Sequence, residues 1–258
     1  MQKRHRDRER YFSELAQTAR EFYLPWLAEN KVALPPSALE IGCGEGGNLL
    51  PFAQEGCRVF GIDLSQGKIE KAREFFAARG LEGRFEAEDF FKADFNGERF
   101  PLIILHDVVE HISDKAGLLR RVRDLLAPGG VVFIAFPAWQ MPFGGHQQNA
   151  RSRFVSHFPF LHLLPAGIYR RILKAAGESP ENIEEFMEIK RTRCTVELFE
   201  SCVAQAGLSV RCRRLWLVNP HYKAKFGLRP RRLPGWLAAI PWLRNFFSTS
   251  CFYLLESR

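Results

Sequence analysis

The stretch Leu39-Glu40-Ile41-Gly42-Cys43-Gly44-Glu45-Gly46-Gly47-Asn48 constrains the fold more than any other part of the chain. Ala38, Leu39 and Ile41 follow the turn-prone Pro35-Pro36-Ser37 and read as a strand. The glycines then form a turn, and Leu49, Leu50, Phe52 and Ala53 predict a helix that stops at Gly56. Strand, glycine turn and helix open a nucleotide-binding βαβ unit. Glycine suits such a turn because a Cβ would collide with a ligand lying across it, and because positive φ is often required. The helix start then offers unpaired N–H groups to the ligand. Two spellings fit: Gly42, Gly44 and Gly47 satisfy G-x-G-x-x-G, whereas Glu40, Gly42, Gly44 and Gly46 satisfy E-x-G-x-G-x-G.

The next segments alternate in type. Residues 58–63 predict a second strand that ends at Asp63, about twenty residues past the glycine loop, where an acid can accept hydrogen bonds from ribose hydroxyls. A capping role for Asp63 is the alternative, although Ser65 is better placed to cap the helix expected over 66–79. A short strand over 84–88 is followed by Asp89, Phe90 and Phe91. The apolar run 101–106 reads as a strand buried on both faces. Asp107-Val108-Val109-Glu110-His111 leads from it to a helix over 115–126, and Pro128-Gly129-Gly130 turns into a fifth strand over 131–135. Five strands alternating with helices predict an α/β fold with a doubly wound parallel sheet.

"ALEIGCGEG", "VFGIDLS", "AEDFF", "IILHDVVEHISD" and "LLAPGGVVFIAFP", in this order and at these intervals, resemble the successive motifs of the class I S-adenosylmethionine-dependent methyltransferases. The resemblance covers about residues 38–137 and implies a mostly parallel seven-stranded sheet, with a helical insertion before the last two strands. It further implies that Glu40, Gly42, Cys43, Gly44 and Gly46 lie against the methionine part of the donor. Asp63, with Leu64 beside it, would hold the ribose, Asp89 and Phe90 the adenine, and His106 and Asp107 would line the methyl-transfer pocket. The cofactor expected is S-adenosyl-L-methionine, with S-adenosyl-L-homocysteine as product. The remaining segments then divide as an N-terminal helical part (1–37), a donor-binding core (38–137), a helical cap or lid (138–194) and a C-terminal part (195–258), all within one domain.

Within the N-terminal part, Tyr11, Phe12, Leu15, Ala19 and Phe22 recur at helical spacing until Pro25 interrupts them. Such a helix would pack on the sheet or cover a ligand. The segment opening the cap, Trp139 to Gln148, has the aromatic, glycine and amide content of an active-site lid. His146 in it is the preferred general base, with His106 and His111 the other titratable groups near the pocket; His111 has a structural role as its alternative. Phe154, Phe158, Phe160, Leu161, Leu163 and Leu164 are too apolar for a bare loop and suggest a cap over the acceptor pocket. No metal spacing is present, at His157 and His162 or elsewhere. Thr195 is expected to cap a helix over 196–206, and strands are expected over 208–218 and 251–255.

The net charge of +8 is concentrated late in the chain: between 211 and 258 ten Lys and Arg face one acid, Glu256. Such a segment meets phosphates or anionic lipid, or simply forms a solvated face. Trp236, Leu237, Ile240, Trp242 and Leu243 could lie in a lipid interface or pack under the sheet edge. The basic residues belong to no nucleic-acid reading module, so no nucleic-acid partner is expected. Six scattered cysteines without a C-x-x-C pair, and an N-terminal run without an apolar stretch behind it, place the chain in the cytoplasm, peripheral to the inner membrane face if residues 221–247 touch lipid.

The function expected is methyl transfer to a small-molecule, glycan or lipid-linked acceptor, with oxygen as the methylated atom. The lid and tail are similar to those of methyltransferases of bacterial glycan and lipid biosynthesis. Two alternatives remain at this point: an NAD-dependent oxidoreductase, and a non-catalytic methyltransferase-like protein that binds a membrane surface.

Overall fold

The computed structural model describes residues 7–258; the start of the arginine-rich N-terminal run, 1–6, lies outside the described residues. Strands β1 (Ser37–Ile41), β2 (Arg58–Asp63), β3 (Arg84–Ala87), β4 (Phe100–His106), β5 (Leu126–Phe136), β6 (Leu208–Val218), β7 (Arg231–Arg232) and β8 (Ser250–Ser257) form one sheet of order β3-β2-β1-β4-β5-β8-β6-β7. The first five run parallel, while β8 is antiparallel to both β5 and β6. The chain winds outward from β1 to β3 and then returns to β4, so β1 and β4 flank the switch point where open α/β sheets bind ligands. The sequence predicts seven strands. The eighth, β7, is a two-residue edge strand, pinned along β6 because Leu233 is buried and its N–H donates to the Leu215 carbonyl at 2.8 Å.

Helices cover both faces, which is why β4 and the later part of β5 read as continuous apolar runs. On one side the helices Lys115–Asp124 and Val196–Gln205 pack over Ile103, Leu105, Val132 and Ile134. On the other, the N-terminal helices and Gln66–Ala77 pack over Ala38, Leu102, Ile104 and Phe133. Thr195 caps its helix as expected, its Oγ1 accepting from the Leu198 N–H. Ser65 occupies the N-cap position of Gln66–Ala77, but its side chain makes no capping bond. Asp63 does not cap the helix in its place: its Oδ1 accepts from the N–H of Ser65 itself at 2.9 Å.

Pro25 does not end the N-terminal helix. Arg8–Thr18 continues through one wide π turn, Ala19–Tyr23, where the Leu24 N–H reaches the Ala19 carbonyl five residues back. Pro25 then falls in the first turn of Leu24–Glu29, where its missing N–H costs nothing.

Between β5 and β6 the helices Arg153–His157, Ala166–Ala175 and Pro180–Thr192 close around their own core of Val155, Tyr169, Leu173, Ile183, Phe186 and Met187. Glu178 fastens this subdomain by accepting from the Arg151 and Ser152 N–H groups and the Asn182 amide. Burial works against its charge, but these bonds outweigh burial and hold its pKa below the ordinary carboxylate value. A depressed folded pKa means the stabilisation is present above about pH 4.3 and is lost as pH falls through the folded value. Glu178→Gln should therefore cost about 1–3 kcal/mol at pH 7. In thermal melts its gap from wild type should close on acidification; a gap independent of pH would show that the charge plays no part.

Candidate active site

The glycine loop divides its work in a way the sequence does not reveal. Gly42, Gly44 and Gly46 all have positive φ. A Cβ on Gly42 would lie 2.5 Å from Val108 Cγ2, and one on Gly47 would lie 2.6 Å from the Phe12 carbonyl oxygen. At Gly44 there is open space. Hence Gly42 and Gly47 are glycine because protein approaches them, and only Gly44 leaves room for a ligand. The Gly44 N–H is not free for that ligand, because it donates to Asp63 Oδ2 at 3.0 Å. After the loop comes a single tight turn, Gly47–Leu49, before the helix Leu50–Gln54, so the helix start stands back from the crevice.

Two cavities meet at this loop. The first, of about 650 Å³, is lined by Asp63, Leu64, Lys68, Asp89 and Phe91, with Phe90 and Asp107. Its dimensions and its carboxylate–aromatic lining suit a nucleoside. Phe90 is buried beneath Arg121, whose guanidinium lies 5.2 Å from the ring centre, so the exposed neighbouring ring, Phe91, offers the freer stacking face. The second cavity, of about 660 Å³, is more enclosed and shares Gly42, Lys68, Asp107 and His111 with the first. Cys43, Gly44, Asn48 and His106 form its floor. Arg8, Tyr11 and Leu15 of the N-terminal helix wall one side, and His146, Asn149, Arg151 and Asn182 close it from the lid. Arg8 Nη1 reaches Glu45 Oε1 at 3.0 Å across the rim.

Glu40 does not line either cavity. It is 1% exposed and accepts from the Asn48 amide at 2.7 Å, so its effect on the chamber passes through Asn48. Burial raises its pKa to about 8, against the Asn48 hydrogen bond and with help from Asp63. His106 lies at the chamber floor with Nε2 3.7 Å from Asp107 Oδ2, and Asp107 itself has φ of +54°. Non-glycine residues with positive φ cluster at functional sites.

The structure also brings together three residues that sequence spacing does not join. Glu110 Oε1 lies 4.0 Å from His111 Nε2 and 3.9 Å from His146 Nε2, and the two imidazole rings are 5.0 Å apart. His146 has φ of +58°. Glu110 is 3% exposed, and neither carboxylate oxygen has a hydrogen-bond partner. Buried carboxyls are almost always paired, so an orphaned one signals a missing partner. Burial, then the charge of Asp107, pushes the Glu110 carboxyl well above its ordinary pKa. Burial, then His111, lowers His146 to about 4, and burial also lowers His111. Two neutral imidazoles and one carboxylate, with ligand atoms all within 4.8 Å of one another, could hold a divalent cation. His162 is separate: it is buried, bonded to the Trp139 carbonyl and Gln147, and serves the lid's packing. Gly145 is required there, because a Cβ would lie 2.3 Å from His162 Cβ.

Comparison with known proteins decides between the two spellings of the loop. Residues 38–130 match the family described as "Methyltransferase domain". Residues 38–130 are a class I methyltransferase domain of the S-adenosylmethionine-dependent type. Two curated relatives of this domain, both described as ubiquinone biosynthesis O-methyltransferase, come from Chelativorans sp. (strain BNC1), 36% identical over 97 residues, and Ruegeria pomeroyi, 38% identical over 96 residues. The matches cover 38% and 36% of this chain; in each case the chain spans 38% of the relative's length. Among solved structures, a methyltransferase from Clostridium acetobutylicum superposes with a TM-score of 0.59 at 14% identity, covering 93% of this chain and 91% of that one. The magnesium protoporphyrin IX methyltransferase from Synechocystis PCC 6803, with bound S-adenosylhomocysteine, gives 0.55 at 15% identity, covering 95% and 84%. These likenesses establish that the fold of the methyltransferase domain extends through the C-terminal strands.

The sequence reading missed Glu110 and the contributions of Arg8, Asn48 and Arg151, whereas Tyr11 lies on the helix expected to pack on the sheet or cover a ligand. For Glu110 a signal existed: an acid among Val108, Val109 and Ile112 is out of place unless something buried requires it. Arg8 and Arg151 carry no such mark, because an arginine on a helix or in a loop reads as surface.

Proposed function

We propose that the protein transfers the methyl group of S-adenosylmethionine to a hydroxyl of a small organic acceptor and releases S-adenosylhomocysteine. The observation that carries this reading is that the two cavities share Gly42, Lys68, Asp107 and His111: a nucleoside-sized crevice at Asp63 adjoins, at Asp107, a covered chamber lined by His111 and His146, with Glu110 buried beside the two imidazoles. Asp63 would accept from the ribose hydroxyls, with Lys68 Nζ 3.8 Å from its Oδ2. Asp89 and Phe91 would frame the adenine, and Asn48, held by Glu40, would contact the methionine part.

The donor carries its own leaving group, so the protein's task is to aim the acceptor oxygen behind the methyl, exclude water and handle one proton. His146 alone is a poor base for this task. Moving a proton from a phenol of pKa about 10 to an imidazole of pKa about 4 is uphill by about 8 kcal/mol. The same lack of proton affinity suits a metal ligand. Glu110, His111 and His146 would hold a divalent cation, which when bound supplies Lewis acidity that lowers the pKa of a neighbouring hydroxyl. The chain's residues then orient the acceptor, and Asp107, between the cavities, marks where the two substrates meet. Isothermal titration with S-adenosylhomocysteine against NAD tests the donor assignment: micromolar binding of the first alone is expected, and a preference for NAD would overturn it.

A lipid-linked acceptor taken from a membrane surface is the finer form of this proposal. Much of the basic excess supports a different use: Arg213, Arg214, Lys223 and Arg244 pair with Glu200, Glu29, Glu21 and Glu197 on other elements. What favours lipid is the aromatic edge, where Trp236 is 70% and Trp242 61% exposed and the backbone at Trp242 has positive φ. No helix among the described residues is long and apolar enough to cross a membrane, so contact would be interfacial. Co-sedimentation with phosphatidylglycerol vesicles should fall at least tenfold in a Trp236→Ala/Trp242→Ala variant; equal sedimentation would exclude this edge.

A further inference from the structure

A third cavity, of about 600 Å³, lies between the lid and the helix His221–Phe226. Its walls are apolar: Met141, Pro142 and Phe143 face Tyr222, Phe226 and Leu228. Arg151 and Arg153 supply its charge, and none of its lining residues is a carboxylate. Arg151 lines the reaction chamber as well, so this one guanidinium stands where the two spaces meet. Gln148 and Ser156 are the remaining polar side chains near that end, with His157 and Thr249.

We propose that this cavity is the acceptor site, and that it selects an amphipathic anion: a hydroxyl-bearing head in the chamber, a carboxylate or phosphate at Arg151, and an apolar segment between Phe143 and Phe226. The inference rests on the methyltransferase reading above, since it is the chamber that makes this neighbouring space an acceptor site. Three observations set the class of ligand. An apolar cavity of this volume accommodates a drug-sized hydrophobic body. Phe226 and Leu228 are about half exposed at its edge, so a longer apolar segment can run outward past them. The chamber's lining balances Asp107, Glu45 and Glu185 against Arg8, Lys68 and Arg151, whereas the third cavity carries two arginines and no carboxylate, and a guanidinium binds carboxylate or phosphate through paired N–H groups. The ligand's negative charge is therefore best held on the arginine side of this cavity, with Arg151 the arginine that also borders the chamber, and that sets which end of the molecule enters the chamber. Glu178 accepts from the Arg151 backbone N–H at 3.2 Å and so fixes the base of the side chain.

Calorimetric titration of the full chain saturated with S-adenosylhomocysteine tests this, using octyl phosphate, octyl glucoside and inorganic phosphate below micellar concentrations. Octyl phosphate should bind at least tenfold more tightly than either of the others, because only it offers both halves of the recognised chemistry. Arg151→Ala should remove that preference and Arg151→Lys should restore part of it. Ser156→Trp, which fills a cavity that Ser156 lines without lining either of the other two, should weaken both octyl compounds while leaving S-adenosylhomocysteine affinity unchanged. Equal binding of octyl phosphate and octyl glucoside, or octyl phosphate binding that survives both Arg151→Ala and Ser156→Trp, would overturn the proposal. Failure of the wild-type protein to bind S-adenosylhomocysteine would instead overturn the donor assignment.

Discussion

Replacing Asp63 by alanine is expected to weaken S-adenosylhomocysteine binding by about 100-fold or more while the protein stays folded. A carboxylate has about four lone-pair positions. Two of them are used by the Gly44 and Ser65 N–H groups at 3.0 and 2.9 Å, which lock the side chain between the loop and the next helix. The others are left for a ligand. Hydrogen bonds to a charged acceptor contribute about 1.5–3 kcal/mol each, so losing two ribose contacts alone accounts for a hundredfold change or more. The loop would also lose the bond that sets the Gly44 peptide. Asp63→Asn should recover little, because an amide group in this position must turn an N–H toward either Gly44 or Ser65. Calorimetry supplies the affinity and circular dichroism the fold; an unchanged Kd in Asp63→Ala would remove the ribose role.

Glu110→Gln should produce the opposite pattern. Turnover is expected to fall by about 10²–10³-fold, the scale of losing a preorganised electrostatic partner, with S-adenosylhomocysteine affinity intact. Because neither Glu110 oxygen has a hydrogen-bond partner, the isosteric amide removes a buried ionisable group without breaking any bond, and Tm should hold or rise. A residue that merely supported the fold would lower Tm instead. The cation assignment has its own readout: added Mg²⁺ or Zn²⁺ should raise the wild-type Tm and leave that of Glu110→Gln unmoved. A lower Tm in the variant together with an identical cation response in both proteins would refute the assignment.

The parallel half of the sheet was legible because its central strands are apolar and because β2, β3 and β4 are each followed by, or end on, an acid at the carboxyl end. Asp63, Asp89 and Asp107 all stand at such ends, and all three line the crevice. The edge strand Arg231–Arg232 was not legible: two arginines carry no strand pattern, and their pairing is imposed by Leu233 being drawn beneath β6. The glycine loop was read correctly in position but only partly in reason. A sequence cannot distinguish a glycine facing open space, such as Gly44, from one facing Val108 or the Phe12 backbone. The Glu110–His111–His146 group escaped for a similar cause. His146 lies 35 residues beyond His111, and the left-handed turn that aims it inward depends on lid packing, in which Gly145 sits against His162. Local spacing reports what one element presents; a site shared by a strand end and a returning lid is a property of the tertiary fold.

The N-terminal helix has a consequence for turnover. It forms one wall of the more enclosed cavity, yet its leading end is tied there by Arg8 to Glu45, and Arg8 is nearly half exposed. Such a pair contributes at most about 1 kcal/mol and is weakened by salt. Farther along, Phe12 is anchored against Gly47, Phe75 and Phe76, and the π turn at Ala19–Tyr23 follows. The wall is thus firm at its base and loosely latched at its tip, like a door held by a weak catch. Spent donor should depart by release of that tip, so multiple-turnover rates should quicken with ionic strength, while the rate of a single methyl transfer stays flat.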